Sequence, residues 1–141
     1  MAEQNFDVNF NGYWRYINRG GTPEKPGVYC VYTSTYNEAE KTVSLRKLLY
    51  IGESENVNER LQNHEKESDW KRQLTTGEIL SFSVSEVSSI ARYRIEAALI
   101  FKHKPHVNTE YVNSFPFDKT TINTSGQNTL LNSSFTVYKT E

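Results

Sequence analysis

Two adjacent runs constrain this chain most. GVYCVYTS, residues 27–34, alternates and is rich in β-branched and aromatic side chains. VSLRKLLYIG, residues 43–52, repeats that character after the polar connection YNEAEKT. Such runs read as strands, and the connection makes them a hairpin. Gly52 and the following ESEN stop the second strand. The period then changes. In SENVNERLQNHEKES, Val57, Leu61 and His64 recur at helical spacing, and Ser54 or Asn56 can cap the N-terminus. WKRQL adds a second short helix, and EILSFSVSEV reads as a third strand. SSIARYRIEAALIFKHKP is the clearest helix. Ser88 or Ser89 caps it, Ala91, Ile95, Ala98, Leu99 and Lys102 trace one face, and Pro105 ends it.

This order, β-β-α-(α)-β-α, predicts a small α+β domain. Its sheet is expected to be three-stranded and mostly antiparallel, flanked by helices. Residues 27–108 form the expected core. Residues 1–26, rich in Asn, Gly and aromatics, read as a loose N-terminal arm whose aromatics pack onto the domain or touch nucleic acid. Residues 109–141 are a polar C-terminal extension, with NTSGQN as a turn and SSFTVYKT as a last strand.

Composition sets outer limits. A chain of 141 residues suits one domain. The net charge of −1 means that any basic surface must be local. A single cysteine, Cys30, excludes an internal disulfide and reads as a small buried hydrophobe. No run approaches membrane-spanning length, and the N-terminus lacks a basic region followed by an apolar stretch, so a cytoplasmic protein without a membrane partner is expected.

Alternate strand residues share a face. Tyr29 and Val31 therefore face opposite to Val28, Cys30 and Tyr32, and Tyr50 can lie near Tyr29 if the hairpin register allows. Arg60 and His64 stand at i, i+4, one turn apart on the expected helix. Four side chains able to handle protons and phosphate can thus converge. Glu96 stands in the long helix, where Arg92 at i−4 offers it an alternative as an ion-paired surface carboxylate. Arg92, Lys102 and Lys104 on that helix and its exit, with Arg46 and Lys47 on the second strand, are candidate contacts to a phosphate backbone. His103 and His106 lack the further ligands a zinc site needs.

GVY (Gly27–Tyr29) followed by YIG (Tyr50–Gly52) resembles the signature of the GIY-YIG nuclease domain. Arg60, Glu96 in RIEAALI and Asn108 in KPHVN follow in the order that family uses. The gap between the tripeptides is longer than in compact members. That gap, and a His one turn after the helix Arg, are features of the restriction-endonuclease branch. The resemblance implies a metal-dependent endonuclease acting on double-stranded DNA, with catalytic Tyr29, Tyr50, Arg60, His64, Glu96 and Asn108. Glu96 would ligate Mg2+, or Mn2+ in its place. Arg60 would pair with the phosphate, Tyr29 or His64 would take the first proton, and Asn108 would hold the loop beside Glu96. A homodimer is expected for cutting two strands. The contrasting reading keeps the fold without the chemistry, as a module binding nucleic acid or a protein partner.

Overall fold

The computed structural model describes residues 2–141, so the first residue of the expected arm lies outside it. The chain is α+β. Its six strands form one mixed sheet in the order β3-β2-β4-β1-β5-β6. The strands are β1 (Gln4–Arg15), β2 (Gly27–Asn37), β3 (Thr42–Ser54), β4 (Ile79–Glu86), β5 (Thr120–Gly126) and β6 (Ser134–Val137). The helices are α1 (Val57–Gln62), α2 (Glu67–Lys71) and α3 (Arg92–His103).

The three-stranded sheet expected from the sequence is only half of this. The N-terminal segment is not a loose arm. It contains β1, which lies inside the sheet, antiparallel to β4 and parallel to β5. The physical reason is visible in NFDVNFN. Phe6, Val8 and Phe10 alternate with Asn5, Asp7 and Asn9, and Val8 and Phe10 are fully buried while the polar set faces solvent. The C-terminal extension supplies β6 inside SSFTVYKT, where a last strand was expected, and also β5, which was not expected, with Thr120, Ile122 and Thr124 buried and Thr121 and Asn123 less so.

Two apolar layers sandwich the sheet. One face carries Val8, Phe10, Val28, Cys30, Tyr32 and Ile122 against Ile95, Ala98 and Leu99 of α3. The other carries Tyr29, Val31, Phe82 and Val84 against Val57 and Leu61 of α1 and Trp70 of α2. Cys30 is a free, buried thiol, pushed up to about 12 by burial. Strand β3 is an edge, and the chain leaving α3 runs along it: the Val107 N–H donates to the Leu49 carbonyl at 2.8 Å. The layers meet around this edge.

The helix ends follow local chemistry. The Asn56 side chain accepts from the Glu59 N–H at 3.1 Å and caps α1. The Ser88 hydroxyl accepts the Ala91 N–H at 3.1 Å just before α3. Lys104 closes α3 in the left-handed region ahead of Pro105. No helix among the described residues is long and apolar enough to cross a membrane.

Because Phe10 is 1% exposed and central, Phe10→Ala should cost about 3–5 kcal/mol. Urea denaturation checks this. A loss below about 1 kcal/mol would fit a dispensable arm and contradict β1 as a core strand.

Candidate active site

Hairpin register decides the geometry. Tyr29 pairs with Gly52, and Val31 with Tyr50, so Tyr50 lies diagonally across from Tyr29 on one face. The two ring centroids are 6.3 Å apart. Both signature glycines are explained by close approach. A Cβ at Gly52 would overlap the Tyr29 ring and hydroxyl. A Cβ at Gly27 would press on the Ser85 carbonyl and reach within 3.2 Å of Val57.

His64 does not sit one turn beyond Arg60 on a helix. Helix α1 ends at Gln62, and Asn63 leaves helical geometry, so His64 lies in the following loop. That departure turns the ring inward. Its Nε2 is 2.7 Å from the Tyr29 hydroxyl, and its Nδ1 accepts the Lys66 N–H at 3.0 Å. A backbone N–H can only donate, so Nδ1 carries no proton. Neutral His64 therefore carries its proton on Nε2 and donates it to Tyr29. Burial, then the nearby Arg60 charge, lower the imidazole to about 4. His64 is a neutral donor at neutral pH and, in this arrangement, not a base toward Tyr29.

Burial, and then Tyr50, push the Tyr29 phenol far up, while Arg60 pulls it down. Tyr29 is 1% exposed. Arg60, whose side chain is 33% exposed, also holds Glu65 at 2.7 Å. Tyr50 is pushed up to about 12, by burial first and then by Glu96.

Glu96 projects from α3 toward the edge strand. With Tyr50, Glu65, Lys66, Asn108 and Glu110 it lines a cavity of about 190 Å³. Tyr29 does not line it. Burial, then Glu53 and Glu110, raise the Glu96 carboxyl to about 8. The i−4 pairing with Arg92 does not form. Arg92 instead turns to Glu53 and Glu55, with Glu55 at 2.6 Å.

Asn108 clamps the YIG strand. Its side chain accepts the Ile51 N–H and donates to the Ile51 carbonyl, both at 2.9 Å. This bidentate contact satisfies backbone groups that an edge strand otherwise leaves open.

The candidate phosphate contacts divide. Arg92 is 8% exposed and committed to its carboxylates. Lys47, paired with Thr33, lies on the Tyr29 face and is exposed. Arg46 stands 3.9 Å from Glu78. Lys102 is exposed, whereas Lys104 donates to the Phe101 and Val112 carbonyls.

Sequence reasoning missed Trp70. Its ring centroid lies 4.3 Å from His64 and 5.5 Å from Tyr50, and it is fully buried with Nε1 unpartnered. It walls the imidazole into an apolar setting. WKRQL predicted a short helix that instead spans Glu67–Lys71, and nothing in it showed which way the indole faces.

Among the described residues no three His, Cys, Asp or Glu side chains are arranged to hold a metal. A hard divalent ion such as Mg2+ needs less: one carboxylate, with water and phosphate oxygens completing its shell. Glu96, held among other carboxylates without a cationic partner of its own in the cavity lining but Lys66, fits that donor chemistry. The chain matches no protein-family model, no curated protein and no solved structure.

Two outcomes follow. Gly52→Ala must displace Tyr29, so a loss of roughly 1–3 kcal/mol is expected in urea denaturation; an unchanged midpoint would mean that the ring does not lie over residue 52. Glu96, raised to about 8, keeps a proton in the folded state that the unfolded chain releases from its ordinary carboxylate range upward. Stability therefore falls as pH rises through that window. Glu96→Gln should remove that fall, so its melting temperature should exceed that of the parent at alkaline pH and converge with it in acid. Parallel curves would contradict the burial assigned to Glu96.

Proposed function

We propose that this protein is a metal-dependent endonuclease of GIY-YIG type that hydrolyses DNA phosphodiester bonds, restriction-like on double-stranded DNA. The observation that carries this reading is the meeting, at the edge of β3, of the Tyr29–His64 pair, Tyr50, Arg60 and the half-buried Glu96 carboxyl.

Each group has a task. A divalent cation bound at Glu96 would supply positive charge beside the phosphate and the leaving oxygen. Arg60 pairs with the scissile phosphate, for which its planar fork suits two oxygens. Glu65 now holds that fork, and its side chain is 71% exposed, so an incoming phosphate can displace it. Withdrawal of Arg60 toward phosphate uncovers Tyr29. The Tyr29 hydroxyl, held by the His64 Nε2–H, takes a proton from the attacking water while its own hydroxyl proton passes to a non-bridging oxygen of the phosphate, so the phenol is never left as a free phenolate. The water oxygen bonds to phosphorus as the bond to the 3′ oxygen breaks, and that oxygen leaves with a proton from solvent. Tyr50, on the cavity wall, orients the water. Asn108 positions the strand that carries Tyr50 by holding the Ile51 backbone.

Lys47, Arg46 and Lys102 would track the DNA backbone, and a homodimer would place one site on each strand. The cytoplasm is the compartment this activity implies. The 1% exposure of Tyr29 favours a second reading, a nucleic-acid-binding module without chemistry.

Plasmid incubated with the protein should be cut with Mg2+ and not without it. Tyr29→Phe and Glu96→Gln should each lose roughly 10²–10⁴-fold in rate. His64→Gln, which still offers an N–H, should retain more activity than His64→Leu. Binding without cutting by every form would support the module, and neither binding nor cutting would end both readings.

A further inference from the structure

A second cavity, of about 500 Å³, adjoins the first. Tyr111 lines both. The rest of its wall includes Phe6, Ile90, Tyr93 and Phe117, with the Gln4 amide at one side. Two of these apolar residues face water at a cost: Ile90 is 95% exposed and Tyr93 is 50% exposed. They stand together at the start of α3, and Tyr93 is one helical turn before Glu96.

The Tyr93 ring is also a prepared surface. The Arg92 guanidinium lies 4.5 Å from its centroid. Arg92 is itself pinned by Glu53 and Glu55, so its charge is neutralised and its plane held. One ring face thus rests on a fixed cation, and the exposed remainder is available for stacking. Tyr111, on the shared wall, holds a backbone φ of 62°, in the left-handed region that bulky side chains rarely adopt.

We propose that this cavity receives an unstacked nucleobase from the nucleic acid whose phosphate sits at Arg60 and Glu96. The inference rests on the nuclease reading and extends it. Aromatic platforms bind bases through their π faces regardless of sequence. An exposed aliphatic side chain beside such a platform is the kind of wedge that opens a base step, and Ile90 occupies that place. Gln4 offers an amide able to read an adenine edge. The shared Tyr111 wall ties base and phosphate to one ligand, which a separate small molecule would not require.

The test uses the full chain carrying Glu96→Gln and a short duplex with 5-iodouracil in place of thymine. Binding is measured first, and the complex is then irradiated and its cross-linked peptides mapped. Cross-links at Tyr93, Tyr111 or Phe117 are expected. Tyr93→Ala should weaken binding by about 5- to 150-fold, the range for losing one base–aromatic stack, while Tyr93→Phe should bind as the parent does. Binding with cross-links only elsewhere, or unaffected by Tyr93→Ala, overturns the base site and leaves the nuclease reading standing. Absence of any duplex binding overturns both. A dimer that Ile90→Asp dissociates would assign the cavity to a second copy of the chain and also overturn the proposal.

Discussion

The packing of Tyr29 over Gly52 is the contact on which the site depends. The ring occupies the space that any side chain at residue 52 would fill. It can do so only in the register that pairs Tyr29 with Gly52 and Val31 with Tyr50. A slip of one residue between the two strands would put the two phenols on opposite faces of the sheet. The same contact directs the Tyr29 hydroxyl to His64 at 2.7 Å. One hydrogen-sized side chain therefore sets strand register, phenol direction and imidazole contact together.

Around that contact the molecule holds several polar groups away from water. Glu96 and His64 are both driven toward their neutral forms by burial, in opposite directions of pKa. Trp70 contributes to this by walling off the imidazole, while the Lys66 backbone N–H fixes which nitrogen carries the proton. Arg60 is the exception. It stays charged, partly exposed and loosely tied to a surface carboxylate. A site with neutralised residues beneath and a partly exposed cation above is arranged to gain when an anion and a cation arrive together.

The edge strand explains why residues far apart in sequence act as one unit. Helix α3 lies against one face of the sheet and α1 and α2 against the other. At β3, an edge of the sheet, side chains from both layers can meet, because no further strand intervenes. Asn108 closes this edge at Ile51.

The hairpin, the third strand, the long helix and the opposed faces of Tyr29 and Tyr32 were legible in the chain, because period and turn chemistry are local. The sequence also brought forward Tyr29, Tyr50, Arg60, His64, Glu96 and Asn108, but not Trp70, Lys66 or the acidic neighbours Glu53, Glu65 and Glu110. At the C-terminal end SSFTVYKT held the expected last strand, β6, but β1 and β5 were missed: Asn, Ser and Thr suggested an arm and a turn there, although Phe6, Val8 and Phe10 already alternated. The helical reading of His64 failed because a short helix ends where its capping geometry ends, which spacing does not reveal. Packing alone set β1 beside β5, turned Arg92 from Glu96 to Glu53 and Glu55, and made the imidazole a donor to the phenol. These outcomes depend on which distant groups compete for the same partner, and that competition exists only once the chain is packed.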